Sequence, residues 1–184
     1  MKILTKMLAT ICNKIVKPSS HFVLVITLLM TSNFSSASSH LTQDLKMVGQ
    51  GEMSWLFIDL YQASLYSPTG DYKQAQYPQA LNIIYQKDID KDHLISATEK
   101  EWQKLAFNNT QYNGWLNQLD NLWPDIKKGD QLLFMVEDDG SGYFYHNNKL
   151  LGGVDNQQFA EAFLSIWLSK NTSEPKLRQQ LLGE

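Results

Sequence analysis

The sequence predicts an α+β domain, and three observations predict it. Segments with strand chemistry come first, segments with helical spacing follow, and the same alternation then repeats. The stretch from Gly49 to Tyr66 is the longest with strand character: Trp55, Phe57, Ile58, Tyr61 and Tyr66 are β-branched or aromatic, suited to a pleated surface, and Leu65 continues the apolar run. The segments around Trp102 and Phe163 instead repeat apolar residues every three or four positions.

Taken in order, 41–48 reads as a first strand leading into Gly49-Gln50-Gly51. That tripeptide precedes a strand and lacks a third glycine, so it reads as a turn or bulge and not as a phosphate loop. At period two, one face of the following stretch carries Trp55, Phe57, Asp59, Tyr61 and Leu65, and the other Leu56, Ile58 and Leu60. A strand apolar on both faces is expected at the centre of a sheet, covered on both sides. Ser67-Pro68-Thr69-Gly70 ends it, and 80–86 is the next strand, with Leu81, Ile83 and Tyr85 on one face.

Two helices follow. Asp90 or Asp92 caps the first, Leu94, Thr98, Trp102 and Leu105 form its apolar stripe, and Glu99, Lys100, Glu101 and Lys104 its solvated face. Thr110 caps the second, Tyr112, Trp115, Leu119 and Leu122 line it, and Pro124 stops it. Strands at 132–137 and 143–146 flank the loop Asp138-Asp139-Gly140-Ser141-Gly142, and Asn147-Asn148 turns the chain into 149–151. Asp155 with Gln158 has the capping-box spacing, followed by the stripe Phe159, Phe163, Ile166 and Trp167. A short helix from Glu174-Pro175 ends at Gly183.

Residues 1–37 have the pattern of a signal peptide. Lys2, Lys6, Lys14 and Lys17 precede the short apolar run His21–Met30, and Ser35-Ser36-Ala37 offers small residues for cleavage. The run is about half of what spans a bilayer, so no stable membrane insertion is expected after cleavage, and the product is expected in the periplasm. Residues 38–184 then form one domain without cysteine, because Cys12 leaves with the leader. Four lysines leave too, so 12 basic residues face 19 acidic ones, a net charge of −7 that disfavours nucleic acid. Arg178 is the single arginine, so an anion site elsewhere has to use lysine, amide, hydroxyl or backbone groups.

Catalytic constellations are sparse. There is no HExxH, GxSxG or clustered-histidine metal spacing, and no metal or cofactor is expected. His40 sits beside the new terminus, His93 beside Asp92 at a helix start, and His146 at an exposed hairpin end. Asp59, between Phe57 and Tyr61, reads as solvent-facing or hydrogen-bonded, with acid–base work as the sharper reading. Trp55, Phe57, Tyr61, Tyr85, Trp102 and Trp115 read first as core and second as walls of a ligand site.

The stretches VGQGEMSWLFIDLYQASLYSP, IIYQKDI, LWPDIKKGDQLLF and FAEAFLSIWLS with the closing EPKLRQQLLG together resemble the bacterial chalcone isomerase-like family, from about Leu45 to Gly183. The resemblance implies an antiparallel sheet layered with helices, an open-faced β-sandwich, with a cleft between sheet and helices for a flat or elongated apolar ligand. In the plant enzymes an arginine and a threonine on early strands, with a tyrosine and an asparagine on a helix, bind the chalcone and polarise its ketone. Between Lys46 and Tyr66 this chain has neither arginine nor threonine, and Tyr112 and Asn113 are the candidates for the helical pair. Losing such electrostatic stabilisers costs several kcal/mol of barrier. Non-catalytic members of the fold bind fatty acids, so the expected function is exported, non-catalytic binding of a fatty acid or similar small apolar ligand. The alternative is an isomerase or lyase using Asp59, Tyr61 or Tyr112 for acid–base catalysis. Mass analysis of the processed protein is expected to place its start near Ser38; a full-length product embedded in the membrane would overturn export.

Overall fold

The structure, a computed structural model, describes residues 40–154 and 156–184. Residues 1–39, which include the segment that reads as a signal peptide, and Asp155 lie outside the described residues. Six strands form one sheet in chain order: β1 Lys46–Trp55, β2 Ile58–Ser67, β3 Gln79–Tyr85, β4 Gln131–Val136, β5 Gly142–His146 and β6 Lys149–Val154. Every neighbouring pair is antiparallel. Helices α1 Lys91–Lys104 and α2 Asn109–Leu122 are inserted between β3 and β4, and α3 Gln157–Leu168 and α4 Pro175–Leu182 close the chain.

The helices cover one face. Leu65, Leu81, Ile83, Tyr85, Phe134 and Phe144, at alternate strand positions, share a core with Trp102 of α1, Leu119 of α2, Phe159 and Phe163 of α3 and Leu181 of α4. The opposite face carries a small cluster, Ala80, Leu133 and Met135, against which Leu41, Leu45, Tyr66 and Tyr145 pack. The architecture is the open-faced α+β one.

The long central strand of the sequence reading is instead a hairpin. Trp55 pairs with Ile58, and Leu56 and Phe57 make the two-residue turn between them with φ of 48° and 69°. Such turns need positive φ at both central positions and usually take Asn-Gly. Two bulky apolar residues in that place carry no turn signature, so the hairpin reads as one strand. Its apolar centre is the tip, where Trp55 is 62 % and Phe57 102 % exposed. β1 is therefore an edge strand, starting at Lys46 and running through Gly49-Gln50-Gly51, with a register shift between Met47 and Gly49.

The two glycines of β1 set how closely α4 approaches. A Cβ on Gly49 would lie 2.2 Å from the Gln180 carbonyl oxygen, and one on Gly51 2.8 Å from Leu177 Cδ1. Bare backbone lets α4 lie directly on the edge strand, with Leu177 and Leu181 buried.

Two helix starts, those of α2 and α3, differ from those expected. Asn108 Oδ1 accepts the Thr110 N–H at 2.9 Å, so Asn108 and not Thr110 caps α2. Asn156 Oδ1 accepts the Phe159 N–H at 3.1 Å and caps α3. Asp90 holds the cap position of α1 without a side-chain cap bond. The turn at Lys128-Gly129-Asp130 is organised by Asp130, whose carboxylate accepts the Lys127 N–H at 2.8 Å and the Asn147 amide at 2.8 Å. These bonds, the Asn147 amide foremost, hold its pKa down to about 2. His146, expected to be exposed, is half-buried against it, with Nε2 at 2.9 Å.

The glycine packing yields a paired test in urea denaturation. Gly49→Ala is expected to destabilise by about 1–3 kcal/mol, because the atom it meets is backbone and cannot swing away. Gly114→Ala, with nothing within 4 Å on the surface of α2, is expected to stabilise by about 0.5–1 kcal/mol. An unchanged midpoint for Gly49→Ala would contradict the α4–β1 contact.

Candidate functional site

Where the helices leave the sheet uncovered, an apolar cleft of about 560 Å³ opens, within the range of small-molecule sites. Its floor is Leu60 and Tyr61 of β2, Ile83 and Tyr85 of β3 and Leu132 of β4. One wall is α1, whose Leu94, Ala97, Thr98 and Glu101 recur at three and four residues and so share a face. The other wall is α3, through Phe163, Ile166 and Trp167, and Trp123 at the end of α2 adds to the lining. Ser173 and Glu174 contribute from the α3–α4 connection, and Asp88, Asp90 and His93 from the segment entering α1.

The polar groups on this surface are few and specific. Tyr61 and Tyr85 are cross-strand partners with ring centroids 5.9 Å apart, and the Tyr61 hydroxyl accepts the Trp167 indole N–H at 2.9 Å. Burial pushes the Tyr61 pKa up to about 12, the Trp167 bond opposes this, and the fields of Glu174 and Glu101 add to it. Burial, then the neighbouring Tyr61, pushes Tyr85 up as well. Both phenols are neutral hydrogen-bonding groups at physiological pH. Glu101 Oε1 accepts the Ser173 hydroxyl at 2.6 Å, whereas its Oε2 and the Trp123 Nε1–H are buried without a hydrogen-bond partner in the protein. Among the described residues no lysine or arginine lines the cleft.

A second cavity, about 710 Å³, lies against other positions of α3, among them Gln158, Glu161, Ala162 and Ser165. Glu161 accepts the Gln74 amide at 2.8 Å, and the Gln158 and Gln111 amides bond at 2.6 Å. Arg178 lines this cavity, its Nε donating to the Leu168 carbonyl at 3.0 Å and its Nη1 3.7 Å from Glu184. By its lining, the apolar cleft is the better candidate for an apolar molecule, although it is the smaller of the two.

The structure brings together only part of the expected residue set. Tyr61 and Tyr85 face the apolar cleft. Trp55 and Phe57 sit at the exposed hairpin tip, because the stretch carrying them turns back on itself. Trp102 is fully buried and donates to the Ala162 carbonyl at 2.9 Å, and Trp115 packs on it at 5.5 Å and lines the second cavity. Tyr112 is buried against Trp102 at 6.0 Å, and Asn113 is exposed on the other side of α2. Asp59 is exposed and accepts the Ser54 hydroxyl at 2.7 Å. Asp59, Tyr61 and Tyr112 therefore do not converge. Glu101, expected on the solvated face of α1, lines the cleft; it stands seven residues after Leu94 and three after Thr98, a spacing that could have revealed it. Trp123 stands four residues after Leu119, but with Pro124 next to it the stripe of α2 reads only as far as Leu122. Among the described residues no group of three or more His, Cys, Asp or Glu could hold a metal ion, and no helix is long and apolar enough to cross a membrane.

A family model described as chalcone isomerase-like matches residues 30–183. An uncharacterized protein of Haemophilus influenzae is 30% identical over 168 residues, spanning 91% of this chain and 79% of that protein. The crystal structure of a fatty-acid binding protein of Arabidopsis thaliana shares the fold, with a TM-score of 0.60 at 12% identity over 76% of this chain and 87% of that one.

The suppressed ionisation of Tyr61 has a measurable consequence. Its folded pKa lies above the ordinary 10.0, so folding favours the protonated phenol; this contribution is complete below pH 10 and is lost as pH rises from 10 through 12. The stability difference between wild type and Tyr61→Phe is expected to narrow by roughly 2 kcal/mol between pH 9 and pH 12 in urea titrations. A constant difference across that window would show that the cleft does not suppress the ionisation.

Proposed function

The chain belongs to the chalcone isomerase-like family, and on that premise we propose that its domain binds a small elongated apolar molecule in the cleft between the sheet and α1 and α3. The observation that carries this reading is the lining: leucine, isoleucine, phenylalanine, tyrosine and tryptophan side chains around about 560 Å³. Each methylene moved from water into such a surface contributes about 0.8 kcal/mol, so a chain of eight to ten carbons has a substantial driving force. The shared fold with a protein named for fatty-acid binding supports a long apolar ligand. Binding stands ahead of turnover because the candidate acid–base groups are dispersed, with Asp59 exposed and Tyr112 packed behind Trp102. The pattern of residues 1–37 supports export, and with it a periplasmic site of action.

The neutral fluorophore N-phenylnaphthylamine tests this reading. Wild-type protein is expected to bind it with enhanced emission. Ala97→Trp, at an exposed position of α1 on the cleft lining, is expected to weaken binding at least about tenfold with an unchanged thermal midpoint. Absence of binding to the wild type, or undiminished binding to the variant, would overturn the reading.

A further inference from the structure

Resting on the apolar-ligand reading of this cleft, we propose that its ligand is a neutral or cationic amphiphile, with a hydroxyl, amide or ammonium head, and that the cleft rejects the carboxylate of a free fatty acid. Among the described residues, two buried side-chain polar atoms lack a partner, Glu101 Oε2 and Trp123 Nε1, and both residues line this cleft. A buried polar atom without a partner is costly, and more so when it belongs to a charged group, so a ligand group that completes it is favoured. The two atoms ask for different things. Glu101 Oε2 accepts and needs a donor; the Trp123 Nε1–H donates and needs an acceptor.

A hydroxyl or an amide can satisfy either atom, and an ammonium satisfies Glu101. A carboxylate brings acceptors only. It suits Trp123, but it has to enter a site that already holds Glu101 and Glu174. The remaining charged or titratable lining groups do not reverse this. Asp88 and Asp90 are at the rim, Asp88 bonded to Lys127 at 3.2 Å. His93 is exposed and stands 3.7 Å from Asp90. The phenols of Tyr61 and Tyr85 supply no positive charge, and the rise of the Tyr61 pKa is driven in part by Glu174 and Glu101. The single arginine, Arg178, lines the other cavity and is held by Leu168 and Glu184. A low-dielectric cleft whose described lining has carboxylates and no lysine or arginine penalises a buried anion.

Decanol, decylamine and decanoate share one chain length and differ in the head, and each can be titrated against bound N-phenylnaphthylamine at pH 8, where the acid is ionised. Decanol and decylamine are expected to displace the probe at concentrations at least about tenfold lower than decanoate. Glu101→Gln is expected to weaken decylamine by about tenfold and to strengthen decanoate, and Trp123→Phe to weaken decanol while sparing decylamine. Glu174→Gln, away from the Ser173 bond, is expected to strengthen decanoate and checks the field without altering Glu101. Decanoate binding as tightly as decanol to the wild type would overturn the head-group assignment and leave the apolar-cleft reading standing. The same three ligands ranking unchanged in Glu101→Gln would overturn the role given to Glu101. Failure of the probe and of all three ligands to bind would overturn the cleft reading itself.

Discussion

The seating of α3 across the middle of the sheet is the contact on which the rest of the molecule depends. Phe159 and Phe163, one turn apart with rings stacked at 5.8 Å, meet Phe134 of β4 and Phe144 of β5 at centroid distances from 4.8 to 6.1 Å. Edge-to-face contacts of this kind add to the burial of large apolar area and fix orientation as well as position. Once α3 is held there, its remaining faces have set destinations. Ile166 and Trp167 turn to the apolar cleft, Glu161 and Ser165 to the larger, mixed cavity, and the Ala162 carbonyl to the indole of Trp102. One helix thus separates a mixed cavity from a mainly apolar one and anchors α1, which supplies the far wall of the cleft.

That partition also separates the charges. The Arg178 guanidinium lies on one side of α3, close to Leu168, and the Glu101 and Glu174 carboxylates on the other. With Arg178 and Lys170 both lining the larger cavity, that cavity is the better suited of the two to an anion. The apolar cleft is left with phenols, two indoles and carboxylates, and the Tyr61–Trp167 bond ties its floor to its wall. The catalytic groups expected from chalcone isomerases on the early strands have no counterpart in β1 or β2.

At the sheet's edge the same economy of small residues appears. Gly49 and Gly51 allow α4 to cover β1 at backbone distance, which shields an edge that would otherwise present unpaired strand groups. The hairpin continues past this covered region, so its tip of Trp55, Leu56, Phe57 and Ile58 projects into solvent.

Periodicity and punctuation in the sequence by themselves determined the α+β class, the four helices, the later strands and the apolar stripes of α1 and α3, because those signals are local. Leu94, Thr98 and Trp102 repeat at helical spacing whatever lies opposite them, and Pro124 and Gly183 stop helices by backbone chemistry alone. Only the tertiary structure decided that Gly49–Tyr66 folds back at Leu56 and Phe57, since a turn made of two apolar residues in left-handed conformation has no compositional mark. It likewise decided that Trp102, Tyr112 and Trp115 fill the core while Trp123 and Glu101 line the cleft. Aromatic and acidic side chains look alike in sequence whichever way they face. Which of them meets a ligand depends on where α3 leaves the sheet uncovered, and that follows from contacts between residues far apart in the chain.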